Sequence, residues 1–260
     1  MVTPLRIAFV EWPDALSTDH PRWNELQSSI TALRPDILIT NELPFGPWLA
    51  ENAIFSEDAA RLSLHAHEKG LEGLLRLNIP AIISSRPVWV GKRLANEAFV
   101  LEKPAVRRLH RKQYFPNEPG WFESAWYAAD DSGFAVAEVL GIRLGVLLCT
   151  DAMFNERARA YGKQKASLIV IPRASGLDIE SWKIAGAMAS LVSGAYVVSS
   201  NRVGRGQRGT QFGGGGYAYA PHGRLLAVTD PAHPAQVFEL DPQVAARAQG
   251  EYPCNVSGFE

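Results

Sequence analysis

The stretch GVLLCTDAMFNE, Gly145 to Glu156, passes from an apolar run to a polar segment that begins a helix, with a cysteine at the junction. Val146 to Leu148 predicts a buried strand, and Asp151 is placed to cap the helix that follows. Cys149 then stands at the carboxyl end of a strand, where backbone N–H groups at a helix start favour the thiolate. A structural cysteine that packs as a small hydrophobe is the alternative, and this stretch alone does not decide between them.

Strand-like and helical segments alternate along the chain, a rhythm typical of layered α/β folds. The predicted strands are Arg6 to Glu11, Asp36 to Glu42, Ala81 to Val90, Asn96 to Glu102, two runs that meet at Leu140–Gly141, Ser167 to Pro172, and Tyr196 to Val203. The segments YAYAP, RLLAVTD and AQVFELD predict antiparallel hairpin strands after them. The predicted helices are Pro21 to Leu33, Ser56 to Lys69, Phe154 to Lys163 and Ile179 to Ser193.

Composition narrows the functional class. The chain has 260 residues, of which 47% are hydrophobic, and its 26 basic and 27 acidic residues give a formal net charge of -1. This balance argues against nucleic acid or an anionic membrane as a partner and favours a small molecule or another copy of the chain. The apolar run near the N-terminus is too short for a signal peptide, and no window approaches a membrane span. Two cysteines, Cys149 and Cys254, predict no disulfide framework and favour a reducing cytoplasm.

Three polar residues follow separate elements: Glu42 after DILITN, Lys112 after RRLHR, and Cys149 after GVLL. A carboxylate, an amine and a thiol form a chemically complete set for acyl transfer. Lys112 and Glu42 also have ordinary interpretations: Lys112 follows several arginines, a pattern typical of a solvated basic face, and Glu42 can cap a loop. Only a fold that brings the three together distinguishes the two interpretations.

Three ordered motifs resemble those of the nitrilase superfamily, the carbon-nitrogen hydrolases with a Glu-Lys-Cys triad. They are ITNELPF around Glu42, HRKQYFPNEPGWFESAWY around Lys112 and Glu123, and GVLLCTDAMFNE around Cys149. Asn41 and Asn155 stand where the family pattern usually has proline. The stretch ASLVS replaces the family's Arg-Ala-x-Glu-Asn segment, so its charged contacts are absent.

The resemblance implies one carbon-nitrogen hydrolase domain over residues 1–260, folded as an α-β-β-α four-layer sandwich and assembled as a homodimer or a larger homo-oligomer. Glu42 would be the general base, Lys112 the oxyanion stabiliser and Cys149 the nucleophile that forms a thioester. The backbone N–H of Thr150 would help hold the oxyanion, and Glu123 would be the supporting second glutamate. The chemistry implies no cofactor and no metal, and the six histidines show no metal-ligand spacing.

The sequence specifies the substrate less closely than it specifies the reaction. Aromatic residues near the motifs, Trp48, Trp121 and Phe154, are candidates for an apolar pocket wall, and Arg173 is the candidate polar anchor, although an internal ion pair fits it nearly as well. Glu118 lies in a loop and is interpreted as solvated, with contact to the substrate as the alternative. We expect an amidase that acts on a small carboxamide or N-carbamoyl compound; a nitrilase and a non-catalytic ligand-binding member are the alternatives.

Overall fold

The computed structural model describes residues 4–256, and the extreme ends of the expected 1–260 domain lie outside that range. Its strands are β1 (Leu5–Pro13), β2 (Ile37–Ile39), β3 (Ala81–Val90), β4 (Arg93–Glu102), β5 (Ala105–Arg111), β6 (Ala137–Val139), β7 (Ile142–Val146), β8 (Leu168–Arg173), β9 (Tyr196–Arg205), β10 (Gln211–Gly213), β11 (Tyr217–Tyr219), β12 (Leu225–Val228) and β13 (Ala235–Leu240). Its α-helices are α1 (Pro21–Ala32), α2 (Glu57–Arg76), α3 (Glu123–Trp126), α4 (Asn155–Lys163), α5 (Ile179–Ser193) and α6 (Pro242–Ala248). Short 3-10 helices cover Leu49–Glu51, Cys149–Met153 and Pro221–Gly223.

The long first strand joins two β-sheets. Most of β1 pairs with β2 and β13 in a sheet that continues through β3 and β4 to β5. Its last residues, Glu11 to Pro13, pair instead with β9, which belongs to a second sheet with β8, β7 and β6. The neighbouring strands β1, β2 and β3 are parallel, as are β7, β8 and β9.

Three apolar clusters define the layers. The central cluster combines side chains from both sheets, among them Ile7, Ile83, Val146 and Val198, so the sheets face each other. A second cluster packs α1 and α2 on the outer face of the first sheet, and a third packs α4 and α5 on the outer face of the second sheet. The order is therefore helix, sheet, sheet, helix, which confirms the predicted four-layer sandwich.

The structure corrects three details of the predicted elements. The second strand is only Ile37–Ile39, so Glu42 stands three residues beyond its end. The arginine-rich segment Ala105–Arg111 is a strand, which its polar composition did not indicate because its first four residues are exposed at the edge of the sheet. AQVFELD pairs with β1, whereas β11 and β12 do form a hairpin.

Strand direction places the ends of separate strands at one edge of the molecule. Since β5 is antiparallel to β4 and β4 to β3, β5 runs in the same direction as β2 and β3. The segments that carry Glu42 and Lys112 therefore leave their strands at the same edge. Among helices within residues 4–256, none has the length and apolar character needed to cross a membrane.

Candidate active site

A buried ion-pair cluster joins Glu42, Lys112 and Glu123. The ammonium Nζ of Lys112 lies 2.9 Å from Glu42 Oε1 and 2.6 Å from Glu123 Oε2. All three residues are fully buried. Leaving any of these charges unpaired away from water would be costly, so the three side chains hold one another in place.

Glu42 is held in one orientation by two further donors. Asn96 Nδ2 donates to its Oε1 at 2.7 Å, and the backbone N–H of Ala174 donates to its Oε2 at 3.1 Å. Asn96 lies on β4, and its carbonyl accepts from the backbone N–H of Lys112 at 3.0 Å. One asparagine thus positions both members of the Glu42–Lys112 pair.

Cys149 begins a 3-10 helix and has a left-handed backbone, with φ of 49°. A non-glycine residue in this region is uncommon and is found most often where a turn or a functional site requires it. The Sγ atom lies 3.8 Å from the carbonyl oxygen of Ala174, the residue whose N–H binds Glu42. Cys149 and Glu42 therefore contact the backbone of the same residue, Ala174, the first through its C=O and the second through its N–H.

A cavity of about 370 Å³ opens in front of Cys149, a volume suited to a small ligand. Its lining includes Cys149, Thr150 and Glu123 from the site described above. The remaining lining residues come from two loops, the end of the 3-10 helix that Cys149 begins and the start of α5: Pro116, Glu118, Trp121, Met153, Ala174, Ser175, Gly176, Leu177, Asp178 and Trp182.

Burial shifts the protonation of the cluster. It raises the pKa of Glu123 to about 8, against the opposing effect of Lys112. Burial alone would lower the pKa of Lys112, but Glu123 and Glu42 hold it well above its usual value of 10.5. At neutral pH the ammonium is charged and Glu123 holds a proton for most of the time.

The Cys149 thiol does not behave as the sequence suggested. Burial, reinforced by the charge of Glu42, raises its pKa well above the usual value of 9.0, and Lys112 offsets this only in part. The expected preference for the thiolate at a helix start is therefore wrong for the resting protein. A thiol in this environment needs a base that takes its proton when it reacts.

Asp151 connects the segment after Lys112 to the segment after Cys149. Its Oδ1 accepts from the backbone N–H groups of Gln113 at 3.2 Å and Tyr114 at 3.1 Å, and its Oδ2 accepts from that of Leu148 at 3.2 Å. Its Oδ2 also lies 3.0 Å from the ring nitrogen Nε2 of buried His110. Sequence reasoning assigned Asp151 only a capping role, because its place two residues after Cys149 gives no sign of these contacts.

Of the four proposed substrate-contacting side chains, only Trp121 lines the cavity. Trp48 packs behind it, with ring centres 5.7 Å apart and its indole N–H donated to Gly120. Phe154 stacks on Tyr114 with centres 3.7 Å apart. Both rings support the loop that carries Trp121 and Glu118. Glu118, interpreted from sequence as a solvated loop residue, is exposed and lines the cavity.

Arg173 also lies behind the cavity. Its guanidinium donates to Ser199 Oγ, Ser175 Oγ and the carbonyl of Gly215 at 2.7 to 2.9 Å. It is fully buried, with its charge 5.1 Å from the ring centres of Trp182 and Tyr217. The prediction that Arg173 anchors the substrate is corrected, because its three donor nitrogens already bind the protein that supports the cavity wall.

Comparison with known proteins identifies the class. A model of the carbon-nitrogen hydrolase family matches residues 15–247, nearly the whole chain. The chain belongs to the carbon-nitrogen hydrolase family, which confirms the membership predicted from its motifs. A carbon-nitrogen hydrolase from Helicobacter pylori G27 has the same fold, with a TM-score of 0.82 at 19% identity over 97% of this chain and 94% of that one.

Two further relatives are informative. The N-carbamoylputrescine amidase of Solanum tuberosum is 30% identical over 151 residues, which are 51% of this chain and 50% of the relative. The match thus spans about half the length of this curated relative. A mutant of the amidase from Nesterenkonia sp. AN1 superposes with a TM-score of 0.75 at 18% identity, over 94% of this chain and 93% of that one. Its structure shows covalent addition of the acetamide moiety of fluoroacetamide at the active-site cysteine.

Proposed function

We propose that the protein is a thiol amidohydrolase that cleaves a C–N bond of a small carboxamide or N-carbamoyl compound. The observation that carries the proposal is the placement of Cys149 at a cavity wall, where it contacts the same residue, Ala174, as the carboxylate of Glu42, which is itself paired with a buried lysine. Nucleophile, base and cation are then all within one site. This arrangement does not require the classical cysteine-histidine pairing.

In the first half-reaction Cys149 attacks the carbonyl carbon. Glu42 takes the thiol proton, a Sγ–C bond forms, and the C–N bond breaks as the same proton passes to the leaving nitrogen. Ammonia or an amine departs and an acyl thioester remains on Cys149. The raised pKa of the thiol makes this proton transfer necessary, so the base acts in the same step as the attack.

We assign two donors at the buried end of the cavity to the negative charge that develops on the carbonyl oxygen. Lys112 is bound to the lining residue Glu123, and Thr150 lines the cavity itself. Lys112 supplies a permanent positive charge, since neighbouring carboxyl groups keep it protonated. Thr150 is the second residue of a 3-10 helix, where a backbone N–H has no partner within the helix. Donors fixed before the reaction stabilise the transition state without reorganisation.

In the second half-reaction water attacks the thioester. Glu42 takes a proton from the water, the Sγ–C bond breaks, and the proton returns to the thiolate of Cys149. The acid product leaves and the enzyme is restored, so no redox partner is consumed. The names of the relatives support this chemistry, since one is a carbamoyl amidase and another an amidase modified at its cysteine.

Three further predictions belong to this proposal. We infer a single catalytic domain, assembly as a homodimer or larger homo-oligomer, and a cytoplasmic location. The two cysteines are unpaired in the described residues, which suits a reducing compartment. Size-exclusion chromatography with light scattering tests the assembly.

The decisive experiment compares the two cysteines. Ammonia release is measured over a panel of amides, carbamoyl compounds and nitriles for the wild type, Cys149→Ala and Cys254→Ala. We expect Cys149→Ala to abolish release and Cys254→Ala to retain it within about twofold, and intact mass spectrometry to detect an acyl adduct on Cys149. Turnover of nitriles alone would assign nitrilase chemistry. No turnover together with a Cys149 that resists alkylation would refute an enzymatic role.

A further inference from the structure

The cavity in front of Cys149 has a floor and a mouth with different charges. Cys149 and Glu123 are buried and form the floor, whereas Glu118 and Asp178 are exposed and form the mouth. Within residues 4–256, the lining contains three acidic side chains and no lysine, arginine or histidine. A ligand that enters therefore meets negative charge at the end remote from the thiol.

The two nearest buried cations do not reverse this charge. Lys112 lies behind Glu123 and is paired with it and with Glu42. Arg173 lies behind the cavity wall, where its donors bind two serines and a backbone carbonyl. Neither side chain lines the cavity, so neither balances the acidic groups at the mouth.

Asp178 is fixed in position before any ligand binds. Its Oδ1 accepts the backbone N–H of Ser181 at 3.2 Å and its Oδ2 accepts the Ser181 hydroxyl at 2.5 Å, so it caps α5. These hydrogen bonds lower the pKa of Asp178 and keep it ionised. The aromatic rings of Trp121 and Trp182 line the same cavity. A carboxylate beside indole rings is an environment that binds organic cations.

A separate observation points to a polar ligand at the cavity floor. The Oε1 atom of Glu123 is buried and has no hydrogen-bond partner within residues 4–256, although its Oε2 is bound by Lys112. Glu123 lines the cavity. An unpaired buried oxygen is costly, and the amide or carbamoyl group of a substrate supplies both N–H donors and a carbonyl acceptor.

We propose that the cavity selects amides and carbamoyl compounds that carry an ammonium group at the end remote from the scissile bond, bound by Glu118 and Asp178 between Trp121 and Trp182. The inference rests on the proposed function and adds the substrate class. The polar end occupies the buried floor beside Glu123 and Cys149, and the ammonium remains near the mouth. A neutral or anionic chain of equal length lacks the attraction between the ammonium group and the carboxylates of Glu118 and Asp178.

The first test measures the charge preference of Cys149 without turnover. In the Cys254→Ser background, the rates of mixed-disulfide formation are compared for aminoethyl, ethyl and sulfonatoethyl methanethiosulfonates, each normalised to the rate with free cysteine. Cys149 Sγ displaces methanesulfinate in every case, so the leaving group is constant and the transferred groups differ in their terminal substituent, which is cationic, absent or anionic. We expect the cationic reagent to exceed the neutral one by about fivefold or more and the anionic one to be slowest.

Charge-removing variants test whether the preference for a cationic reagent arises from Glu118 and Asp178 at the cavity mouth. Glu118→Gln and Asp178→Asn remove charge with little change in shape, and asparagine still caps a helix. Glu180→Gln is the control, because Glu180 is exposed on α5 but does not line the cavity. We expect the cation-to-neutral ratio to fall toward one in the double variant and to stay unchanged in the control. An unchanged ratio in the double variant, a preference for the anion, or a Cys149 that reacts with none of the reagents would overturn the proposal.

The second test uses matched substrates and separates the two proposals. δ-Aminovaleramide, caproamide and the monoamide of glutaric acid differ mainly in terminal charge. We expect kcat/KM to be highest for the first, with its ratio to the value for caproamide falling toward one in the Glu118→Gln/Asp178→Asn variant and staying at the wild-type ratio in Glu180→Gln. If no amide is hydrolysed while the thiol keeps its cation preference, the proposed hydrolysis is wrong and the cation site stands. If amides are hydrolysed with no preference for the one that carries an ammonium group, the cation site is wrong and the proposed hydrolysis stands.

Discussion

Arg111 and Lys112 are neighbours in sequence, yet they belong to two ion-pair clusters with opposite surroundings. Lys112 joins Glu42 and Glu123 in a cluster without solvent exposure. Arg111 joins Arg86 on the carboxylate of Glu97, and the two arginine side chains are 23% and 32% exposed. We call these the inner cluster and the outer cluster.

The alternation of side chains along a strand separates the two clusters. Glu97 pairs across the sheet with Arg86 and Arg111 on the face toward the helices, where Arg86 lies over Phe99. Asn96, one residue earlier, points to the opposite face and reaches Glu42. Acidic and basic side chains therefore form a partly hydrated ion-pair cluster on one face of the sheet and a buried cluster with shifted pKa values on the other. Only the inner cluster is fully shielded from water.

The largest expected effect comes from removal of the cation of the inner cluster. Lys112→Met leaves the buried Glu42 carboxylate without its counter-charge and removes the proposed oxyanion donor. We expect amide hydrolysis to fall on the order of a hundredfold or more and the free energy of unfolding to fall by about 3–5 kcal/mol. Steady-state kinetics and urea unfolding measure the two effects. Arg111→Met is the matched control, and an equal loss in both variants would remove the distinction between the clusters.

A smaller effect should appear as a pH dependence of stability. Folded Glu123 holds its proton up to about pH 8, whereas the unfolded side chain releases it near its usual value of 4.5. Protonation of folded Glu123 therefore adds to the free energy of unfolding. This contribution is complete below pH 4.5 and is lost as the pH rises to about 8. We expect the stability of the wild type relative to Glu123→Gln to decline across this window and to level off above it. Urea unfolding at a series of pH values measures the difference, and a flat difference would contradict the raised pKa.

The smallest effect is expected in the outer cluster. Glu97→Gln removes the carboxylate that two partly hydrated arginines share, at 3.1 Å from Arg86 and 2.9 Å from Arg111. Because water can solvate both arginines, we expect a loss of about 1 kcal/mol or less in unfolding free energy and hydrolysis within about twofold of the wild type. Added salt should weaken the wild-type advantage. A loss of activity comparable to that of Lys112→Met would show that the outer cluster controls the site.

Most of the architecture followed from patterning, because apolar periodicity alone predicts buried strands and helices. Ala81–Val90 and Ile179–Ser193 were predicted with the bounds that the structure shows. The strand Ala105–Arg111 was missed, since an edge strand that exposes arginines has no apolar alternation to detect. The pairing of β13 with β1 joins residues more than two hundred positions apart, which local pattern does not specify.

The candidate site was predictable in its reactive residues and not in its supporting ones. Glu42, Lys112 and Cys149 each stood in a recognisable motif, and the structure brings them together. The contact of Asn96 with Glu42 and the shift in the pKa of Cys149 depend on long-range packing and burial. Arg173 was misjudged because a strand end that faces a cavity and one that lies behind it have the same sequence signature.

The contacts of Asp151 have a consequence for how this scaffold can vary. One carboxylate binds backbone N–H groups on both sides of the long connection between Lys112 and Cys149, so the two residues keep their spacing whatever lies between their flanking segments. That connection contains Glu118 and Trp121, which line the cavity. The part of this connection that precedes Glu123 can therefore change its length or its charges while Lys112 and Cys149 keep their relative positions. New specificities can arise by replacing one loop, with no change to the chemistry beneath it.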